Sequence, residues 1–223
     1  MEEIRKTQLI KATIATIHEE GFTNASISKI SKRAGLSSGI VAHYFDDKSG
    51  LLTATLQYLM RKLGEETKKQ LEHANTPIER LLAVVNSNFS DEQFKPGVVD
   101  VWLAFWALVP TSEKLGRLHK INERRMQSNF QHALKPLLPE QMVASTATGL
   151  AAMVEGLWIR CALTEGGVTP KEAITIMESY IRGVTTLHHY ERISSRDLGL
   201  KERRVLRTEV ILAFPGSFTV GMV

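Results

Sequence analysis

At 223 residues, 43% hydrophobic and 23% charged, the chain is long enough to bury a core of its own, as one domain or two small ones. Its net charge of +4 is weak evidence for a nucleic-acid partner, because residues outside 187–223 hold 22 basic against 20 acidic side chains. A single cysteine, Cys161, excludes an intrachain disulfide and fits a reducing cytoplasm; MEEIRKTQ does not read as a signal peptide, and no apolar run approaches the ~20 residues of a membrane span.

Ile4, Ile10, Ile14 and Ile17 predict a first helix over residues 4–20, ended by Gly21. Residues 26–48, SISKISKRAGLSSGIVAHYFDDK, then read as a helix-turn-helix. Ser26 is a helix cap, and Ile27, Ile30 and Ala34 recur on one face. Gly35 suits a helix end with positive φ, and Leu36 plugs the corner. Ser37 caps a second short helix whose Ile40, Val41 and Tyr44 face back into the first. Ser38, Gly39, Ala42 and His43 are left outward, a small and polar face able to approach bases and phosphates. Lys29, Lys32 and Arg33 are the only charged side chains between Thr23 and Phe45, and such cations can neutralise phosphates. The same pattern also describes a solvated face in an ordinary bundle.

Asp46 or Asp47 caps a long helix to about His73. Thr76-Pro77 opens another to about Glu92, and Lys95-Pro96 a third through Val109. Pro110 breaks that one, and a basic amphipathic segment follows to about Pro136. Pro139 starts a Gly-, Ala- and Leu-rich helix to about Thr164. Gly166-Gly167 is a loop, and Pro170 opens a last helix to about Leu187. Beyond it, residues 188–223 lose helical periodicity and end in extended-looking VILAF and PGSFTVGMV, which predicts a divergent, at least partly flexible tail. With no strand pattern before residue 186, the fold class is all-α.

All three tryptophans fall on two apolar helices. Trp102, Phe105 and Trp106 share a face at i, i+3 and i+4; Glu155 and Trp158 share one at i and i+3. An aromatic stripe of this kind is commonly plain core. A carboxylate among aromatics is nonetheless costly to bury unless a cation meets it. A quaternary ammonium suits such a place, since rings and one acid recognise it by cation–π and Coulomb attraction without a hydrogen bond.

Motif placement near the start, ending in HYFDDKSGLL, resembles the TetR family of bacterial repressors. Asn88-Phe89, WLAFWA (102–107) and GLAAMVEGLWIRCAL (149–163) resemble that family's choline-responsive repressors of betaine synthesis, and the similarity spans roughly residues 5–187. Ser31 stands where the family usually has Ala, and Ala42 where Ser is common. The resemblance implies that Ser26, Lys32 and Arg33 help position phosphates and that Ser37, Ser38 and Gly39 open the recognition helix at the groove. His43, Tyr44 and Lys48 would complete the DNA contacts. It further implies a ligand site drawn from Asn88, Phe89, Trp102, Phe105, Trp106, Glu155 and Trp158. The last two helices would dimerise, small Gly149, Ala152 and Gly156 allowing close approach and Leu150, Leu157, Ile176 and Tyr180 filling the interface.

The organisation expected is a DNA-binding domain over 1–48, a ligand-binding and dimerisation domain over 49–187, and the tail 188–223. The function expected is a homodimeric, cytoplasmic repressor of choline uptake and glycine betaine synthesis that reads a palindromic DNA operator and responds to choline or a related quaternary ammonium. Alternatives are a TetR-type repressor of another operon, such as efflux, or a helical dimerisation module without DNA. An enzyme is disfavoured. Gly35-Leu36-Ser37-Ser38-Gly39 matches G-x-S-x-G but follows a helix rather than a strand. His188 and Glu191 alone make no metal site, and no phosphate-binding G-x-x-x-x-G-K-[ST] loop is present, so no cofactor is expected.

Overall fold

The computed structural model describes residues 1–197, with side chains through residue 186. The described residues are helical with no strand: α1 (Glu2–Asn24), α2 (Ile27–Ala34), α3 (Ser38–Phe45), α4 (Lys48–Glu72), α5 (Pro77–Asn88), α6 (Pro96–Leu108), a 3₁₀ turn (Val109–Thr111), α7 (Glu113–Leu134), α8 (Glu140–Leu163) and α9 (Pro170–Asp197). Residues 1–181 form one compact unit.

Local chemistry sets the boundaries. Gly21, at φ 74° and ψ 160°, breaks α1 before its last residues. The Ser26 hydroxyl accepts from Lys29 N–H at 3.3 Å. At the other end of α2, Gly35 is left-handed (φ 68°), and the N–H groups of Gly35 and Leu36 return to the carbonyls of Lys32 and Ser31. Thr76 and Glu79 form a reciprocal capping box on α5, and Thr169 and Glu172 exchange the same bonds at the start of α9.

Three expectations need correction. α5 stops at Asn88 rather than about Glu92, because residues 89–95 fold into successive turns closed by Gln93 N–H to Ser90 O and Phe94 N–H to Asp91 O. α9 continues to Asp197, nearly three turns past the expected end, so residues 188–197 of the expected tail are helical; residues 198–223 lie outside the described residues. α8 is, by length and composition, apolar enough to cross a membrane, against the expectation that no run would be. Its abundant Ala and Gly raise its apolarity without bulk. Val143, Ala147, Leu150, Val154 and Trp158 form its buried face, and α8 packs on α7 and α5.

The core runs from head to body without a seam. Leu9, Ile17, Ile30, Val41 and Leu51 are buried in the head; Leu56, Leu81, Val85, Phe105, Phe130 and Leu150 are buried in the body. Buried threonines close their hydroxyls onto the carbonyl four residues back: Thr13 to Leu9, Thr16 to Ala12 and Thr55 to Leu51, each at 2.8 Å. Ser31 does not. Its hydroxyl is sealed in α2 with no hydrogen-bond partner, which costs free energy that an apolar methyl would not. Ser31→Ala is expected to stabilise the chain by about 1 kcal/mol, raising Tm by roughly 2–4 °C in a thermal melt, with DNA binding unchanged.

Candidate nucleic-acid interface and ligand site

In α3, Val41 and Phe45 are buried, while Ser37, Ser38, Gly39, Ala42 and His43 are exposed, so the small, polar side read from the sequence is bare. Tyr44 is half-buried. Its ring meets His43 at 5.0 Å and lies under the Lys6 ammonium at 5.6 Å. Ser26 is occupied as the α2 cap. Arg33 holds Glu19 by two arms, one at 2.8 Å, and Lys29 pairs with Glu20. Both pairs are solvent-exposed and therefore inexpensive to exchange for a phosphate. Lys32 is exposed with no such partner among the described residues.

Lys48 is placed differently from a free phosphate-binding side chain. Its ammonium donates to Phe22 O at 2.6 Å and Thr23 O at 3.2 Å and sits 4.5 Å from the Phe22 ring centroid. Burial lowers its pKa. Two of its three donors thus tie the start of α4 to the end of α1.

The α3–α4 junction sets the angle of the recognition helix. Asp47, not Asp46, caps α4, accepting from Gly50 N–H at 2.7 Å. Asp46 instead occupies a γ-turn of positive φ (64°, −63°), closed by Asp47 N–H to Phe45 O at 2.7 Å. A Cβ on Gly50 would lie 1.9 Å from the Phe45 carbonyl oxygen, so only glycine permits this crossing.

In the body, rings form a continuous chain: Phe89 on Phe94 (6.2 Å), Phe94 on Trp158 (5.3 Å), Trp158 on Trp106 (4.9 Å), Trp106 on Trp102 (6.1 Å), Trp102 on Phe105 (5.7 Å). Trp106 and Trp158 stand nearly perpendicular, at 87°, making a corner. Trp102, Phe105, Phe89 and Trp158 are buried, whereas Trp106 and Phe94 are half-buried and give the cluster an outer edge. Trp102 Nε1 donates to the buried Gln93 side chain at 3.3 Å. Six of the seven expected ligand residues gather in this region of α5–α6 and α8. Asn88 does not: its amide donates to Val84 O at 2.8 Å, and it lines a separate groove of about 1160 Å³ between α4, α5 and α7 that none of the rings borders.

Glu155, half-buried on α8, has no hydrogen bond or ion pair among the described residues. Desolvation pushes its pKa up; His119 on α7 pulls it down, and Glu123 pushes it up further. His119 also meets the Phe105 ring edge-on at 6.2 Å. Sequence reasoning missed His119, Glu123, Phe94 and Gln93. Gln93 and Phe94 lie in the short link left between the two expected helices, and His119 and Glu123 lie in a strongly charged helix whose polar residues gave no sign of facing rings.

It also missed the contact of head and body. α1 packs along α6, with Gly97 against Ile14 so closely that a Cβ would come 2.9 Å from the Ile14 side chain. His18 Nδ1 and Asp100 Oδ2 meet across the same contact at 2.7 Å.

Of the expected dimer residues, Ala152, Gly156, Ile176 and Tyr180 are exposed, and Gly149 and Leu157 half-buried. Leu150 is buried within its own chain and unavailable to a partner, a correction set by the α8 register. Exposed Ile159 and Leu163 extend the apolar face instead. Cys161 is half-buried, and burial pushes its thiol pKa up, away from nucleophile chemistry.

Residues 9–55 match the family model described as bacterial regulatory proteins, tetR family, and residues 77–186 match the BetI-type transcriptional repressor C-terminal domain. The HTH-type transcriptional regulator BetI of Yersinia pestis (strain Pestoides F) is 44% identical over 183 residues, covering 81% of this chain and 92% of its own. That of Serratia proteamaculans (strain 568) is 42% identical over the same shares. A transcriptional regulator from Pseudomonas aeruginosa PAO1 superposes with a TM-score of 0.75 at 28% identity, over 86% of this chain and 95% of that one. A transcriptional regulator from Saccharomonospora viridis, solved in complex with choline, shares the fold with a TM-score of 0.71 at 19% identity, over 82% and 97%. The chain belongs to the TetR family and carries a BetI-type C-terminal domain; its relatives are transcriptional regulators, not enzymes.

The raised Glu155 pKa has a signed consequence. Between the ordinary carboxylate value of 4.5 and the raised native one, the folded chain binds more protons than the unfolded chain, so stability falls as pH climbs through that window. Glu155→Gln removes the effect. It is expected to melt higher than the parent at neutral pH, by no more than about 2–4 °C, and equal to it below pH ~4, as followed by melting across pH.

Proposed function

We propose that this TetR-family repressor binds a palindromic operator as a homodimer and controls choline uptake and glycine betaine synthesis in the cytoplasm, responding to choline or a related quaternary ammonium. The observation that carries the ligand is Glu155: a half-buried carboxylate in no ion pair among the described residues, on the same helix face as Trp158, whose ring makes a corner with Trp106. A trimethylammonium group fills both needs, offering charge to the acid and a polarisable surface to the rings while asking for no hydrogen bond. The choline held by the Saccharomonospora relative of the same fold supports this choice.

On DNA, the bare side of α3 enters the major groove. Ser37, Ser38 and Gly39 bring the helix start near phosphate, and His43 reaches a phosphate or base edge. Lys32 is ready for phosphate, and Ser26, Arg33 and Tyr44 border the same surface. Lys48 acts there chiefly by holding α4 to α1, with one donor left for the backbone of the duplex. Two such helices about 34–36 Å apart fit successive major grooves. The exposed stripe of Ala152, Gly156, Ile159 and Leu163 on α8, with Ile176 and Tyr180 on α9, supplies an apolar pairing surface.

Ligand reaches DNA through α6. That helix carries Trp102 and Trp106 on one side and meets α1 through Gly97 and Asp100 on another. A cation drawn between the rings and Glu155 shifts α6, and α1 follows. The effect requires that the two head arrangements differ in ligand affinity.

Binding of labelled DNA from upstream of the chain's own coding region, titrated with and without choline, tests the whole. Choline is expected to weaken the complex. Trp106→Ala and Glu155→Gln are each expected to raise the choline Kd tenfold or more, about 1.4 kcal/mol, and leave operator affinity intact. Asp100→Asn is expected to keep choline affinity but reduce the choline-induced change in operator affinity several-fold. Calorimetry without choline heat would remove the ligand assignment and leave the DNA reading standing.

A further inference from the structure

The groove between α4, α5 and α7 is chemically the opposite of the ring cluster. Met60, Leu63 and Val84 give it a buried apolar lining. Its charged residues split into two groups. Arg61 pairs with Glu65 at 4.0 Å and Lys68 with Glu72 at 3.8 Å. Arg80, Arg124 and Arg125 have no carboxylate partner among the described residues, and Arg80 Nε is sealed from solvent with no acceptor. A half-buried guanidinium with no carboxylate partner is a charge that an anion in the groove compensates through its open nitrogens, and arginine is well suited to planar carboxylate and tetrahedral phosphate oxygens.

We infer that this groove is a second effector site, for an amphipathic anion. A carboxylate or phosphate group meets Arg80, Arg124 and Arg125, and an alkyl body lies on Met60, Leu63 and Val84. At about 1160 Å³ the space exceeds that of most small-ligand pockets, roughly 300–1,000 Å³, and takes a chain of about a dozen carbons. A quaternary ammonium is repelled here by the same arginines. The site stands independently of the choline assignment, because none of the rings borders it.

Calorimetry on the full chain, parent and Glu155→Gln, with sodium dodecanoate, dodecyl phosphate, dodecyltrimethylammonium and inorganic phosphate, all below micelle formation, tests it. The Glu155→Gln background weakens cation binding at the ring cluster, so a failure of either site is read separately. Expected is saturable binding of at least one dodecyl anion, at least tenfold tighter than dodecyltrimethylammonium and inorganic phosphate in that background. Preference between the two anions identifies the head group. Arg80→Gln is expected to weaken it tenfold or more. The exposed pair Arg124→Gln/Arg125→Gln does the same where Arg80→Gln disturbs folding, with helicity by circular dichroism unchanged. Equal binding of dodecyl anion and cation, equal binding of inorganic phosphate, or arginine variants that bind as the parent does would each overturn the proposal.

Discussion

The close seating of α1 on α6 is the constraint on which the rest of the architecture depends. Gly97 lets the two backbones approach until Ile14 fills the space a side chain would need. Because α6 is also the helix that carries Trp102 and Trp106, the DNA-reading head and the aromatic cluster share one packing surface. A dense interior transmits displacement instead of absorbing it. A shift of α6 by even a fraction of an ångström therefore has to be met by α1, by the rings, or by both. The hydrogen bond from His18 to Asp100 keeps the two helices in register along their length.

The head achieves a bare recognition helix by placing its restraints elsewhere. α3 buries only Val41 and Phe45, too few to fix its direction by packing alone. Direction comes from the turn at either end: the left-handed Gly35 before it, and the positive-φ γ-turn at Asp46 with the glycine-only crossing at Gly50 after it. Lys48, bonded to the carbonyls at the end of α1, locks that second junction from behind. Small and polar side chains can then face outward without loss of order.

Most of the helices were legible in the chain because their signals are local. The Ser26 and Thr76 caps and the left-handed Gly35 act within one turn of themselves, and all appear where residue type placed them. What stayed hidden was long-range. Nothing in LGRLHKINERR marks His119 as the residue of α7 that meets Phe105, since a charged helix faces solvent by default. The turns at 89–92 were read as the end of a helix because helical spacing and a succession of turns share the same residue types. Gln93 and Phe94, just beyond, fell in a link whose course no local signal fixes. Leu150 was misassigned for the complementary reason: a stripe of small residues predicts close helix approach, but not whether the neighbour belongs to the same chain.

The two sites proposed in this bundle are of opposite sign. On the α6–α8 side, Glu155, in no ion pair among the described residues, shares a helix face with Trp158, and the proposed cation would gain both Coulomb and cation–π energy there. On the α4–α7 side, arginines without a carboxylate partner among the described residues stand over an apolar floor, a setting that favours the proposed anion over a cation. α7 borders both, carrying His119 toward the rings and Arg124 and Arg125 toward the groove. Two ligands on opposite faces of one helix need not touch to influence each other: whichever orders α7 first alters the work left for the second. The sign of that coupling depends on whether both occupants favour the same placement of α7. Since α4, one wall of the groove, is clasped to α1 by Lys48, and α1 is seated on α6, each environment has a route of direct packing to the DNA-reading helix.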